Sequence, residues 1–208
     1  MDRNFCVGCS TVSNQKMPPC VVANIVSNIP IEDLINTSEI STKEVFVCPK
    51  GAVDIASSRL VINNRCADCM LCALCCPLVD TSSLSLDVLP EHVLFSTTTA
   101  MHILLQSLLP DATVANDVHV IGNSRKKRID LVIKKRNQIF LIKLLKNTNK
   151  MQFYTRSYQE VVDAYQQQFP HHSFHIIALT EKHEHIPEGI TNSSVYYLKN
   201  FVKYAKEI

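Results

Sequence analysis

The spacing of the cysteines constrains this chain more than any other feature. All nine cysteines lie at or before residue 76 of the 208-residue chain, and four of them form the run Cys66-x2-Cys69-x2-Cys72-x3-Cys76-Pro77. Three thiolates spaced three residues apart on a tight loop can surround one face of an iron–sulfur cube, whereas a fourth cysteine that precedes a proline is directed away from that loop. The run therefore predicts an iron–sulfur site in the first half of the chain.

This run resembles the signature of the bacterial-type ferredoxins, which bind two [4Fe-4S] clusters, in both its spacing and its proline. The segment Cys48-Pro49-Lys50-Gly51-Ala52-Val53 is similar to the turn that closes the first half of such a module. The resemblance implies two clusters, each of which takes three cysteines from one half and one from the other. The cofactor-binding residues that it implies are Cys6, Cys9, Cys20 and Cys76 for one cluster, and Cys66, Cys69, Cys72 and Cys48 for the other.

The first of these sets departs from the ferredoxin pattern. Cys9 and Cys20 are eleven residues apart, where the family has three, and an insert at about 21–44 separates Cys20 from Cys48. Within the insert, residues 29–35 predict a short helix that is entered after a proline. The set that contains Cys48 therefore fits the family more closely than the set that contains Cys20.

Zinc is the alternative metal for these cysteines. Two Cys-x2-Cys pairs can form a tetrahedral four-thiolate zinc site, which needs no cluster assembly. The ninth cysteine, Cys75, lies next to a predicted ligand and is interpreted as a small buried side chain rather than as a ligand.

Charge and hydropathy divide the chain in two and predict its compartment. Residues 1–90 carry a net charge of −3, and residues 91–208 carry a net charge of +5. We therefore predict an iron–sulfur domain at 1–82 and a basic domain at 86–208, joined by a short polar stretch. The chain has no apolar run of about 18 residues and no apolar stretch at its start, so a cytoplasmic protein with reduced thiols and no membrane association is expected.

Hydrophobic periodicity predicts a mixed α/β domain in the second half. The pattern changes from helical to alternating or continuously apolar several times between residues 91 and 208. Residues 134–138 are predicted to form a hairpin loop between two adjacent strands. The predicted helices are 91–109, 157–168 and a short one from 200, and the predicted strands are 118–121, 128–133, 139–145, 174–179 and 195–198.

This order of elements resembles the PD-(D/E)XK superfamily, the restriction-endonuclease-like fold. The residues that carry the resemblance are Arg128-Ile129-Asp130-Leu131-Val132-Ile133, followed by Leu141-Ile142-Lys143. In active members, an acid on the first strand and a Glu-x-Lys on the next converge on a divalent metal. The resemblance therefore implies that Asp130 ligates Mg²⁺ and that Lys143 is the motif lysine. The fold class predicted for the whole chain is α+β, a ferredoxin-like iron–sulfur module followed by this nuclease-like domain.

Leu141 stands where active members have the glutamate, and it supplies no oxygen to a metal. Glu160 on the following helix is a replacement, because the carboxylate migrates in this way in some members, and Glu91 and Asp117 are further carboxylates in range. Three interpretations stay open for this domain. They are a metal-dependent nuclease with Asp130, Lys143 and Glu160 as catalytic residues, an inactive relative that binds nucleic acid, and an unrelated α/β domain.

The charge of the second half independently favours nucleic acid as a ligand. Residues 125–156 contain eleven Lys or Arg residues and a single acid, which is the pattern expected of phosphate contacts, although a solvated basic face is the alternative. Phe153, Tyr154 and Tyr158 lie near Arg156 in the sequence and are candidates for stacking on bases. The predicted nucleic-acid-binding residues are Arg125, Lys126, Lys127, Arg128, Lys134, Lys135 and Arg136.

Two functions follow from these halves, and the sequence leaves both open. In the first, the protein binds two [4Fe-4S] clusters and has a nuclease-like domain that binds nucleic acid and is weak or inactive in catalysis. DNA is favoured over RNA as the ligand of that domain. In the second, the chain is a ferredoxin-type electron carrier whose basic domain docks a partner oxidoreductase. A redox or nuclease partner protein and a homodimer are compatible with these hypotheses.

Overall fold

A seven-stranded sheet forms the centre of the computed structural model. The model describes residues 20–37, 40–56, 59–76, 97–121, 126–145, 151–180, 193–197, 200–201 and 203–204. The strands follow the order β2-β1-β5-β6-β7-β8-β9, while β3 and β4 form a separate hairpin. The predicted mixture of helices and strands is confirmed. The strands are β1 Val22–Ser27, β2 Lys43–Phe46, β3 Val53–Ala56, β4 Arg59–Ile62, β5 Thr113–Ile121, β6 Lys126–Lys135, β7 Gln138–Leu145, β8 Ser173–Thr180 and β9 Ser193–Tyr197, and the helices are α1 Ile31–Asn36, α2 Leu71–Leu74, α3 Thr98–Leu108 and α4 Met151–Gln168.

The second half of the chain runs in the predicted order of helix, three strands, helix and strand. After α3, the strands β5, β6 and β7 pair antiparallel as neighbours. Helix α4 then returns the chain, so that β8 pairs parallel with β7, and β9 pairs parallel with β8. A parallel pair requires such a crossover, because a short turn can join only antiparallel strands.

Several element boundaries differ from those predicted, among them the start of β5, which lies at Thr113 rather than at 118. Helix α3 begins at Thr98, where the Thr97 hydroxyl accepts a hydrogen bond from the Ala100 N–H, and residues 91–96 lie outside the described residues. Helix α4 begins at Met151, six residues before the predicted start. The hairpin loop predicted at 134–138 is wrong, because β6 continues through Lys135 and β7 begins at Gln138. The turn is therefore only two residues long.

The insert between Cys20 and Cys48 adds two strands to the same sheet. Strand β1 pairs parallel with β5, and β2 pairs antiparallel with β1 at the edge. The predicted short helix is confirmed as α1, which begins after Pro30 and buries Ile31, Leu34 and Ile35. The sheet thus contains strands that precede residues 80–85 in the sequence and strands that follow them.

Two apolar layers cover the faces of the sheet. On one face, α2 and α3 pack together, and the buried side chains include Leu71, Leu74 and Leu104 with Leu131 of the sheet. On the other face, α1 and α4 pack against β5, β6 and β7. Because α2 directly follows the cysteine loop, that loop is attached to the core that also supports β6.

One buried histidine gives the fold a predicted pH dependence. His102 on α3 is 1% exposed, and its Nδ1 has no hydrogen-bond partner among the described residues. Burial lowers the pKa of His102 to about 4. The unfolded chain, in which the pKa is about 6.5, therefore binds a proton between pH 6.5 and pH 4 that the folded chain does not bind.

The stability contributed by neutral His102 is expected to be complete above pH 6.5 and lost as the pH falls to 4. The loss is on the order of 3 kcal/mol, and His175, whose pKa burial also lowers, adds to it in the same direction. Urea unfolding from pH 7 to pH 4 should show a flatter pH dependence in His102→Gln than in the unmodified protein. Equal slopes in the two proteins would show that His102 is not the titrating group.

Candidate functional site

Four of the predicted cluster ligands line one cavity. Cys48, Cys66, Cys69 and Cys72 surround a partly open cavity of about 40 Å³, which the hairpin β3–β4 borders through Val53 and Ile62. Cys48 follows β2, while the other three lie on the loop that leads into α2 and on α2 itself. Cysteines that are up to 24 residues apart in the chain thus meet at one site.

Backbone N–H groups donate hydrogen bonds to sulfurs of this site. The turn after Cys48 is closed by a Gly51 N–H bond to the Cys48 carbonyl at 3.2 Å, with Gly51 at φ +59, where L side chains are strained. Because of this turn, the Ala52 N–H donates to Cys48 Sγ at 3.1 Å. On the other wall, Asp68 and Met70 also have positive φ, so the loop around Cys69 is held in a costly conformation.

Two of the cavity thiols, Cys69 and Cys72, have pKa values raised by burial, so they lose their protons less readily than a free thiol. Desolvation, followed by the charges of neighbouring cysteines, raises the pKa of Cys69 and raises that of Cys72 to about 11. The backbone N–H groups of Leu71 and Ala73 act in the opposite direction, because they stabilise negative charge on sulfur. Metal binding at this cavity would therefore release protons and is expected to weaken at low pH.

The other predicted ligand set is only partly described. Cys6 and Cys9 lie outside the described residues, whereas Cys20 and Cys76 are described and both lie near Cys75. The Cys75 thiol packs against the core beside α3, and burial raises its pKa to about 12. Within the described part of the chain, no three His, Cys, Asp or Glu side chains are placed to hold a single metal ion.

In the second half, the predicted acid and lysine meet. Asp130 Oδ1 accepts from Lys143 Nζ at 2.8 Å, and both side chains are largely buried. Asp130 Oδ2 accepts from the backbone N–H of Leu144 at 3.0 Å, so the carboxylate replaces part of the β6–β7 ladder. The pairing of Leu131 with Ile142, continued by one residue, sets Asp130 directly opposite Lys143. The short turn between β6 and β7 fixes this register.

Each carboxylate around this point is paired with a cation. Asp117 forms an ion pair with Arg128, and Glu160 on α4 forms one with Lys127. Asp117 has φ +56, and the β5–β6 pairing is interrupted there, opposite Asp130. The predicted replacement carboxylate, Glu160, is thus held by Lys127, and its side chain is largely exposed. Glu91 lies outside the described residues.

The residue at the glutamate position of the motif belongs to the core. Leu141 is 0% exposed and packs in the layer beneath α4. Its neighbours across the sheet are Val132 on β6 and Ile176 on β8, and both are buried. Nothing polar therefore faces this position from the two adjoining strands.

The basic residues predicted to bind phosphate divide into two groups. Lys134 Nζ donates to the carbonyls of Leu34 and Ile35 at 2.9 and 2.7 Å. It thus supplies hydrogen bonds to carbonyl groups in the last turn of α1. Lys135 is buried and forms an ion pair with Asp111 at 3.1 Å. Both residues are engaged within the fold, whereas Arg136, the third predicted basic residue at this end of β6, is exposed.

At the other end of β6, the basic residues lie beside the Asp130–Lys143 pair. Arg128 is exposed, while Lys127 is half-buried and also donates to the Ser157 carbonyl at 3.2 Å. Lys126 begins β6, and Arg125 lies outside the described residues. The sequence did not reveal this division, because it depends on contacts with α1, with Asp111 and with α4.

The three aromatic candidates also differ in their positions. Tyr158 is buried, and the ring of Tyr154 lies 4.5 Å from Lys143 Nζ as a cation–π contact. Phe153 is 72% exposed, so it alone of the three has a free surface. The Tyr154–Lys143 contact has no sequence signature, since it joins a helix and a strand.

Comparisons with protein-family models, with curated proteins and with solved structures give no match for this chain. Among the described helices, none combines the length and the apolar character that crossing a membrane would require.

Proposed function

We propose that this protein binds iron–sulfur clusters in its first half and nucleic acid, without efficient hydrolysis, in its second half. The convergence of Cys48, Cys66, Cys69 and Cys72 on one cavity is the observation that carries this proposal. The second half supports it through the order of its elements and through the Asp130–Lys143 pair, both of which resemble a restriction-endonuclease-like domain.

The donor set at the cavity suits a [4Fe-4S] cluster. The four residues are cysteines, and a backbone N–H already donates to one of the sulfurs, an interaction that tunes cluster potential when the cluster is bound. When bound, such a cluster supplies one-electron chemistry or structural stabilisation. Cys20 and Cys76, together with Cys6 and Cys9, are the proposed ligands of a second cluster.

The ion pairs in the second half favour binding over hydrolysis. A magnesium site relies on one or two carboxylates that are available to the ion, together with phosphate oxygens and waters. Asp130, Asp117 and Glu160 are each paired with a lysine or an arginine, and Leu141 adds no oxygen. By contrast, Arg156 on α4 is exposed and has no ion-pair partner among the described residues, so its charge is available to a ligand.

The nucleic-acid surface is therefore proposed at the Asp130 end of β6 rather than at the β6–β7 turn. Arg136 is six residues beyond Asp130, roughly 20 Å along an extended strand. Arg156 directly precedes Ser157 and lies one helical turn before Glu160, and both of these residues contact Lys127. These two exposed arginines thus mark opposite ends of the strand.

Binding to a labelled oligonucleotide at several salt concentrations tests this proposal. Arg156→Ala is expected to weaken binding and to lower the slope of log K against log salt by about 1, since one phosphate contact is lost. Arg136→Ala, the matched control, should change neither quantity. Absence of salt-dependent binding by the unmodified protein at about 50 mM salt would refute the nucleic-acid proposal and favour the electron-carrier alternative.

A further inference from the structure

Phe153 on α4 is one of the few large apolar side chains that are exposed among the described residues. Phe153 lies in the first turn of α4, and 72% of its surface is accessible. Exposing a phenyl ring of this size forfeits about 1.5–3 kcal/mol of burial energy. The ring contributes little to the core, so it is available to contact a ligand.

The Phe153 ring nevertheless packs against one neighbouring aromatic ring. It makes an edge-to-face contact with Tyr154, with ring centroids 5.5 Å apart and planes at 76°. Tyr154 is fixed in turn by Lys143, whose ammonium group binds Asp130. A ring that is already oriented loses little conformational entropy when a ligand packs on it.

An exposed arginine lies on the same side of α4 as this ring. Phe153 and Arg156 are three residues apart on α4, so their side chains lie on the same side of the helix. Glu160 lies one turn further along the same side of α4, and it is paired with Lys127. The stretch 125–156 carries eleven basic residues and one acid, so an anionic ligand is favoured. A negatively charged ligand with flat apolar rings fits this surface best.

We propose that Phe153 and Arg156 form a binding site for single-stranded nucleic acid, with one unpaired base stacked on Phe153 and an adjoining phosphate on Arg156. The proposal rests on the proposed function and specifies its ligand. An unpaired base is required, because the bases of an intact duplex already stack on their neighbours on both faces. Phosphate contacts by Arg156 and base stacking by Phe153 would give affinity without sequence preference.

The chain provides a matched control for Phe153. Phe46 on the edge strand β2 is also 72% exposed, but it lies three strands away from β6, roughly 14 Å across the sheet. Phe153→Ala is expected to weaken binding of a 12-nucleotide oligothymidylate by about 5- to 150-fold, because a stacked base contributes about 1–3 kcal/mol. Phe46→Ala should leave the affinity unchanged, and neither variant should alter the salt slope.

Two further probes separate stacking from a general loss of binding. An abasic strand of the same length should bind the unmodified protein and Phe153→Ala equally, since it retains the phosphates and lacks the bases. The chain contains no tryptophan, so Phe153→Trp introduces a single tryptophan whose emission should be quenched by oligothymidylate and not by the abasic strand.

The outcomes distinguish this inference from the proposed function. If the unmodified protein shows no salt-dependent binding to any strand, the nucleic-acid proposal itself fails. If it binds but Phe153→Ala matches Phe46→Ala, or the Trp emission does not change, only the stacking site is refuted. Equal losses in Phe153→Ala for duplex and for single strands would likewise overturn the preference for unpaired bases.

Discussion

Anaerobically prepared Cys69→Ser is expected to lose one cluster completely. The unmodified protein should carry about eight iron and eight acid-labile sulfide per chain, and the variant about four of each. Cys69 is the ligand to test, because its side chain both lines the cavity and belongs to the buried layer with Leu71. Iron and sulfide analysis, with the visible absorbance spectrum, measures the result directly.

The same substitution should destabilise the second half as well as the first. Metal binding in so small a module contributes directly to folding free energy, so cluster loss is expected to cost several kcal/mol. Helix α2 follows the cysteine loop and packs on α3, which in turn covers β6. The thermal transition monitored by far-ultraviolet circular dichroism should therefore shift as a whole, rather than split into a lost part and an unaffected part.

Cys75→Ser is the control for this experiment. Cys75 directly follows the last residue of α2 and packs against the same buried layer, but it does not line the cavity. It should retain about eight iron per chain and lose less stability than Cys69→Ser. Stoichiometric zinc without sulfide in the unmodified protein would contradict the cluster proposal, and iron loss in Cys75→Ser would assign Cys75 as a ligand.

Much of the local structure was predictable, because it depends on residues close together in the sequence. The helix after Pro30 and the strands on either side of Arg136 follow from periodicity and turn chemistry. The meeting of Asp130 and Lys143 was also predictable, since adjacent strands joined by a short turn have only a few registers. The same reasoning made the turn three residues too long, because β6 ends two residues later and β7 begins one residue earlier than the predicted strands.

Contacts between distant residues could not be predicted in this way. The parallel pairing of Val26 with Ala115 joins the insert to the second half, and nothing local encodes it. For the two lysines before the turn, the sequence reveals the charge but not the partners. Lys134 donates to carbonyls about a hundred residues earlier, and Lys135 pairs with Asp111. The sequence likewise could not show that Phe153 is exposed and Tyr158 buried, because burial depends on contacts between distant residues.

Leu141→Glu, which restores the glutamate of the nuclease motif in sequence, is expected to destabilise the protein rather than to create a nuclease. The new carboxyl group would lie between Val132 and Ile176, both buried, in a layer that offers it no hydrogen-bond donor from those strands. Burying an unpaired carboxyl costs about 3–5 kcal/mol. Lys143, two residues along the strand, is already paired with Asp130.

Urea unfolding and a Mg²⁺-dependent cleavage assay together test this last prediction. Leu141→Met, the volume-conserving control, should lose less than about 1.5 kcal/mol, and neither variant nor the unmodified protein should cleave DNA efficiently. A stable Leu141→Glu protein that cleaves with Mg²⁺ would mean that the site tolerates a metal after all. Strong cleavage by the unmodified protein, abolished in both Asp130→Ala and Glu160→Ala, would mean that Glu160 leaves Lys127 to complete a metal site, and the assignment of this domain to binding alone would be wrong.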